Sequence, residues 1–206
     1  ADRIRTGLGA VAVRRERGSV WVTTDDGQTH RFDNVILAAH ADESLRLLTD
    51  ADADERRLLG AFQYQPNLAT VHSDQNVMPK ARLAWSAWNY RMSRHPSGAV
   101  LPQTVYWMNN LQGLKTDTEY FVSINGEHEI DPARVHRKIP YTHPLFSLEA
   151  IAAQKELPGL NRRGNGQNVF FAGSYFRYGF HEDAFASAVQ LSRVLSHEPV
   201  YPGIGE

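Results

Sequence analysis

The beginning of the chain alternates apolar and polar positions in the way that β strands require. Extended segments are predicted over residues 4–15 and 19–24, and in the second of them Val20 and Val22 share one face. A third segment over residues 31–39 ends in an uninterrupted apolar run, which is typical of a strand covered on both faces. The pattern therefore predicts three strands, the last of them in a core.

Two short helices are predicted after these strands. Asp42 is placed to cap a helix that runs to residue 48, and Asp52 or Asp54 is placed to cap a second helix that ends at Gly60. Glycine suits that end because it accepts the left-handed conformation in which many helices stop.

The middle of the chain has the amino-acid composition of an antiparallel sheet. Aromatic and β-branched residues are concentrated in four segments separated by turn-forming residues, at 68–72, 82–92, 104–108 and 120–124. Four large aromatic residues lie in two of these segments: Trp88, Tyr90, Tyr106 and Trp107. Such residues form sheet cores and also line ligand sites, and both interpretations remain open.

The last part of the chain is predicted to return to helices and a strand. Pro140 and Pro144 interrupt the sheet pattern, and Ser147 is placed to cap a helix that runs to residue 154. A polar loop is predicted over residues 161–168. A strand over residues 169–173, a turn and a helix over residues 182–195 are expected to follow.

The turn between this strand and this helix has a composition suited to binding a ligand. Gly173 and Gly179 allow the backbone to approach a bound group, and Glu182 and Asp183 can cap the helix or accept hydrogen bonds from hydroxyls. Small residues from Ala184 onward keep the first helical turns slim. The same residues also suit a tightly packed strand–turn–helix, so the pattern alone leaves both interpretations open.

Composition excludes several classes of function. The 206 residues include 22 Lys and Arg against 23 Asp and Glu, so no strong field exists to attract nucleic acid. No apolar run approaches the roughly 20 residues that cross a bilayer, and the absence of cysteine fits a cytoplasmic protein. The nine histidines lack the spacing of a zinc site, and no G-x-S-x-G motif is present. We therefore expect no metal, no nucleic-acid partner and no transmembrane segment.

Residues 170–184, FFAGSYFRYGFHEDA, resemble the C-terminal flavin-contacting segment of bacterial flavin-containing amine oxidase-like proteins, which are FAD/NAD(P)-binding oxidoreductases. The resemblance implies that Gly173 and Ser174 lie near the ribityl-phosphate part of FAD. It places Glu182, Asp183 and Ala184 near N1 and O2 of the flavin. Many relatives carry an acidic residue where this chain has Ser174.

Two further residues of this segment gain a role from the resemblance. Gly179 belongs to the cofactor-binding turn, and His181 lies near the isoalloxazine ring, where it either acts on a substrate proton or has a structural role. A helix N-terminus at this position stabilises the negative charge that reduced flavin develops.

The beginning of the chain resembles the same family. Residues 4–42 are similar to the strand that passes the FAD adenine, a β-hairpin and the strand that returns to the dinucleotide domain, so Ala10 and Val11 are expected to offer backbone groups to the adenine. A complete member would start with a strand, a G-x-G-x-x-G turn and a helix, and this chain has no such motif. It begins with neither a methionine nor a signal peptide. We therefore expect half of an FAD site, completed by a missing N-terminal portion of the same protein.

The expected fold is mixed α/β (α+β), with two domains. A partial, Rossmann-like FAD-binding domain is formed by residues 1–45 and 165–198, and residues 46–164 form a substrate-binding domain with an antiparallel sheet. The implied function is hydride transfer from a small or lipid-like substrate, an amine or an acyl chain, to FAD in the complete protein, with this fragment alone inactive. The four aromatic residues named above would wall the substrate site. The alternative is a non-catalytic binding or interaction domain that retains the flavoprotein fold.

Overall fold

The computed structural model of the protein describes residues 4–94, 98 and 100–196. The chain divides into a first unit, Ala1–Tyr64 with Pro144–Glu206, and a second unit, Gln65–His143. In chain order the elements are β1 (Ala10–Glu16), β2 (Ser19–Thr24), β3 (Thr29–Phe32), β4 (Val35–Leu37), α1 (Ala41–Leu47), α2 (Ala53–Gly60), β5 (Gln63–His72), β6 (Trp88–Arg94), β7 (Val100–Trp107), α3 (Met108–Gln112), β8 (Phe121–Ile124), β9 (Val135–Leu145), α4 (Leu148–Gln154), α5 (Leu157–Gln167), β10 (Val169–Phe171) and α6 (His181–Ser196).

The first unit is discontinuous, and its bounds differ from those expected at residues 45 and 165. Helices α2, α4 and α5 belong to it because their apolar side chains share one core with the strands of the unit. That core includes Val13 and Val20 from the sheet, Leu59 from α2 and Leu157 from α5, each at most 3% exposed.

Strands β1, β2 and β3 form a three-stranded antiparallel sheet. The β1–β2 turn has two residues, Arg17 and Gly18, with φ angles of 50° and 75°. Positive φ at both central positions is the type I′ geometry that matches the twist of the flanking strands. The third predicted strand is divided in the structure: β3 pairs with β2, whereas β4 leaves this sheet and pairs with β10.

Strands β4 and β10 form a parallel pair in which Val169 lies opposite Val35 and Phe171 opposite Leu37. All three residues of β10, Val169, Phe170 and Phe171, are at most 1% exposed. The expectation that the apolar run near residue 36 is covered on both faces is wrong, because Ile36 of β4 is 48% exposed. Phe170 packs beneath α6 in a small separate cluster, while its two neighbours face the main core. Burial on both faces of β10 is what strands inside parallel sheets show.

The helices of the first unit begin at residues that cap them. Asp52 accepts a hydrogen bond from the Glu55 N–H at 2.9 Å, and the Glu55 carboxylate accepts one from the Asp52 N–H at 2.9 Å, a complete capping box for α2. Ser147 caps α4 through the Ala150 N–H at 3.1 Å. Asp42 lies inside α1 rather than before it, and the polar loop predicted over residues 161–168 is largely the second half of α5.

The second unit is a five-stranded sheet with the order β6-β7-β8-β5-β9. The predicted antiparallel pairing is confirmed for β6–β7, β7–β8 and β5–β8. Two predictions here are wrong. Residues Arg82–Ala84 form a 3-10 turn instead of the start of a strand, and β9 continues through Pro140. Proline is accepted there because β9 lies at the edge of the sheet, where one side of the strand needs no hydrogen-bond donor.

A histidine is buried in the sheet of the second unit. His72 is 0% exposed; its Nδ1 accepts from the Asp74 N–H at 3.2 Å, so Nε2 carries the proton and donates to Ser123 Oγ at 2.8 Å. Burial lowers the pKa of His72 to about 4. The imidazole is therefore neutral at pH 7.

No helix within the described ranges has the length and apolar character that crossing a membrane requires.

Candidate functional site

The segment between β10 and α6 forms a compact turn. After Gly173 the chain makes a 3-10 turn over Ser174–Phe176, and the C=O of Ser174 accepts from the N–H groups of Arg177 and Gly179, both at 3.1 Å. Gly179 has φ of 92°, a conformation that side chains with a Cβ disfavour. Its glycine is thus explained by backbone geometry, and α6 starts two residues later.

Gly173 is required by packing inside the protein. A Cβ at this position would lie 2.5 and 2.8 Å from Cε1 and Cδ1 of Tyr175, whose ring is 2% exposed in the main core. The Gly173 N–H donates to Ser187 Oγ at 2.9 Å, so this donor is already engaged. The close approach that the sequence suggested for a ligand is made here by an aromatic ring of the protein.

Asp183 serves the turn that precedes its helix. It is 8% exposed, and its Oδ2 accepts from the N–H groups of Tyr178 at 3.2 Å and Phe180 at 3.0 Å. Asp183 therefore stabilises the turn, and the groups that it caps lie before α6 rather than in its first turn.

The N-terminal end of α6 presents unengaged donors. Asp183 and Ala184 donate backbone hydrogen bonds to the Phe180 C=O at 3.1 and 3.2 Å. No residue in the described part of the chain accepts from the N–H of His181 or Glu182, and both side chains are exposed. Free N–H groups and the helix dipole make this end of a 16-residue helix attractive to an acceptor or an anion.

A cleft of about 570 Å³ lies between β1 and α1. Ala10 and Val11, the two residues expected at the adenine, both line it. The other lining residues were missed by the sequence reasoning: Ala39, Glu43, Arg46 and Leu47. Glu43, Arg46 and Leu47 are spaced so that they share one face of α1, and this spacing in the sequence could have identified them as neighbours.

The cleft and the turn are neighbours in the first unit. Ala39 lines the cleft, and its C=O would lie 3.5 Å from a Cβ placed on Gly173. The structure therefore brings Ala10 and Val11 to a cleft that borders the turn containing Gly173 and Ser174.

The four aromatic residues of the second unit fall on opposite faces of its sheet. Trp88 lies opposite Tyr106 in the β6–β7 register and therefore shares its face, as does Tyr90, two residues further along β6. Trp88 is 55% and Tyr90 57% exposed. Trp107 differs, because the alternation of β7 turns it to the other face.

Trp107 belongs to the packing of that other face. Its ring is perpendicular to that of Trp85 at 5.4 Å, and its Nε1 donates to Glu119. The Arg82 guanidinium lies over both rings, 4.1 Å from the centroid of Trp85 and 4.8 Å from that of Trp107. Three of the four residues thus share one face of the sheet, where Trp88 and Tyr90 are exposed and Tyr106 is half-buried, and we call these three the aromatic face.

Across residues 4–94, 98 and 100–196, no three or more His, Asp or Glu side chains are grouped so that they could hold an ion.

Comparisons with known proteins identify solved structures that share the fold of this chain. No protein-family model and no curated protein matches the chain. Among solved structures, it is similar to a CLA-producing fatty acid isomerase from P. acnes, with 16% identity, a TM-score of 0.56, and coverage of 92% of this chain and 47% of that one. It is also similar to reduced UDP-galactopyranose mutase, with 12% identity, a TM-score of 0.60, and coverage of 96% and 48%. A third is a triple mutant from a redesign of cofactor binding in putrescine oxidase, with 11% identity, a TM-score of 0.56, and coverage of 93% and 49%.

These similarities establish a shared mixed α/β fold with antiparallel sheets. The chain spans about half the length of each of these structures.

Proposed function

We propose that this chain is part of an FAD-dependent oxidoreductase and supplies about half of its FAD site. The fold shared with a fatty acid isomerase, a mutase studied in its reduced state and an oxidase with a redesigned cofactor site supports a flavoenzyme. The resemblance of residues 170–184 to a flavin-contacting segment supports FAD in particular. The observation that carries the proposal is the cleft at Ala10 and Val11, which borders the Gly173 turn.

The cleft suits the adenosine part of the cofactor. Its volume of about 570 Å³ is within the usual range for ligand pockets, and the small residues on its walls leave room for a flat ring. Backbone groups at Ala10 and Val11 would hold the adenine. Glu43 lines the same cleft and would accept hydrogen bonds from ribose hydroxyls, as carboxylates do at such sites.

The N-terminal end of α6 suits the flavin ring. The N–H groups of His181 and Glu182 would face N1 and O2, with Ala184 in the same turn, while Ser174 and Gly179 would lie along the ribityl chain. When bound, FAD supplies the hydride acceptor for oxidation of a substrate C–H. His181 is exposed at the same end and would exchange a proton with the substrate.

The aromatic face would contact the substrate. Its exposed apolar area suits an acyl chain, and the fatty acid isomerase supports that class, whereas putrescine oxidase supports an amine. Trp107 is left out of this role because it is packed on the other face. The remaining part of the FAD site would come from a further portion of the protein, so this chain alone would be inactive.

Substitutions in the cleft test the proposal. The complete protein, with its other half present, would be titrated with FAD while flavin fluorescence is followed. Val11→Trp would fill the cleft and weaken binding at least about tenfold, equivalent to roughly 1.4 kcal/mol. Val11→Ala and the matched surface variant Arg14→Trp, on the same strand, would stay within about twofold.

Two outcomes would contradict the proposal. Unchanged affinity in Val11→Trp would remove the cleft from the cofactor site. No FAD binding by the complete wild-type protein would favour a non-catalytic domain that retains the fold.

A further inference from the structure

The sheet of the second unit ends in two edge strands, β6 and β9, that differ in how well they are protected. β9 contains Lys138 and Pro140, and residues of these types keep an edge strand from pairing with another strand. β6 contains neither proline nor lysine, and its seven residues pair with β7 without a bulge. A regular edge strand of this length is a template for further pairing. The β6 edge is therefore the unprotected end of the sheet.

Free backbone groups line the outer edge of β6. The Trp107 N–H donates to the Ala87 C=O at 2.9 Å, so these two residues form a hydrogen-bonded pair. Such pairs alternate along an antiparallel ladder, so the odd-numbered residues of β6 bond to β7 and the even-numbered ones face outward. Across the part of the chain that the structure describes, the outward N–H and C=O groups of Trp88, Tyr90 and Met92 have no partner. A further strand would satisfy all of them at once.

The side chains next to this edge suit contact with an apolar strand. Trp88, Tyr90 and Met92 lie on one side of the sheet and are 55%, 57% and 56% exposed. The one charged residue among positions 88–92 is Arg91, which the strand alternation turns to the other side, where its guanidinium is paired with Glu129. A second strand can therefore approach these five residues without meeting an unpaired charge.

We propose that β6 pairs with β6 of a second copy of this chain, antiparallel and about a two-fold axis at Tyr90. The occupant is argued from the strand itself, because a two-fold dimer requires a self-complementary surface. Each Tyr90 would lie opposite the other, and Trp88 would lie opposite Met92 of the second copy, so that an aromatic pair is flanked by ring–thioether contacts. Arg91 would lie opposite Asn89, whereas an axis at Arg91 would bring two arginines together and be unfavourable.

The pairing would satisfy the outer edge of both copies. Each of the three outward-facing residues would join one hydrogen-bonded pair, and each pair contributes two hydrogen bonds, about six in total. The two sheets would become one continuous sheet. Because the strands meet edge to edge, the aromatic face stays open, and the inference neither uses nor excludes its contact with a substrate. The inference also does not rest on FAD.

Charge substitution at the two-fold axis tests this inference. Sedimentation equilibrium of the complete protein would give the dimer dissociation constants of wild type, Tyr90→Lys, Tyr90→Glu and the control Val100→Lys, an exposed residue on the same side of the sheet but on β7. Wild type is expected to dimerise at micromolar concentrations. Each Tyr90 variant alone is expected to weaken dimerisation at least about tenfold because like charges face each other, and the control less than about twofold. An equal mixture of the two Tyr90 variants is expected to recover the wild-type affinity within about threefold, because opposite charges then meet.

A second measurement needs no variant, so it decides even if a variant fails to fold. In wild type, hydrogen exchange at the outward-facing Tyr90 amide is expected to slow as the protein concentration is raised through the dissociation constant, whereas exchange at the inward-facing Asn89 amide should not change. A wild-type protein that stays monomeric, a dimer that both Tyr90 variants leave intact, or a mixture as weak as its components would overturn the inference. A Tyr90 amide that is protected in the monomer would also overturn it, and would assign the edge to another segment of the same chain.

Discussion

Replacement of Gly173 by alanine should destabilise the first unit through the ring of Tyr175. The φ angle of Gly173 is 162°, which any residue adopts, so the effect is steric. An added Cβ would lie 2.5 Å from Tyr175 Cε1, and the ring cannot withdraw easily because it is 2% exposed and packs edge-on against Phe62 at 5.4 Å. Overpacking of this kind costs about 1–3 kcal/mol.

A double-mutant cycle separates this cause from others. In a Tyr175→Leu background the obstructing ring is absent, so Gly173→Ala should cost less than about 0.5 kcal/mol and the coupling energy should be about 2 kcal/mol. Gly166→Ala is the control, because no atom lies within 4 Å of its Cβ position and alanine favours the helix. The measurement is the free energy of opening from hydrogen exchange of β10 amides. Equal costs of Gly173→Ala in both backgrounds would refute the packing explanation.

Three further predictions follow from the same structure. Asp183→Asn should cost about 1–2 kcal/mol, because a buried carboxylate that accepts two backbone hydrogen bonds becomes neutral, whereas the exposed Glu182→Gln should cost almost nothing in urea denaturation. His72 has a pKa of about 4 in the folded protein and 6.5 in the unfolded chain, so the unfolded chain binds the proton first as the pH falls. The free energy of unfolding of the second unit should therefore decrease by up to about 3 kcal/mol between pH 6.5 and 4. His72→Gln should make this free energy less dependent on pH over the same range. Trp107→Ala should destabilise the second unit by about 3 kcal/mol and Trp88→Ala by less than about 1 kcal/mol, and equal losses would contradict the assignment of the two residues to different faces.

The sequence predicted correctly those elements that are determined by neighbouring residues along the chain. Asp52 and Ser147 cap helices where the sequence places them, because a cap needs only the next three residues. The strand through Pro140 depends on its position at a sheet edge, which pairing with β5 decides. The helical turn after Leu157 and Leu160 forms because these leucines reach a distant core, although the following glycines and polar residues have the composition of a loop.

The candidate site divides in the same way. The sequence shows that Gly173 allows a close approach to its backbone. Only the structure shows that the group in close approach is the ring of Tyr175. Trp107 and Tyr106 lie on opposite faces of the sheet because side chains alternate along a strand, and the sequence alone was sufficient to predict this. The adjacency of Ala39 and Gly173 joins residues from both ends of the chain, and no local pattern contains it.

The flavin content of the complete protein tests the central proposal most directly. The protein would be purified with its other half, supplied with FAD, separated from free cofactor and examined by visible absorption before and after anaerobic addition of amine or acyl-lipid candidates. We predict a stoichiometric flavin band that bleaches with a substrate of one of these classes. A colourless protein that does not retain FAD would contradict the proposal that this chain forms half of a flavin site.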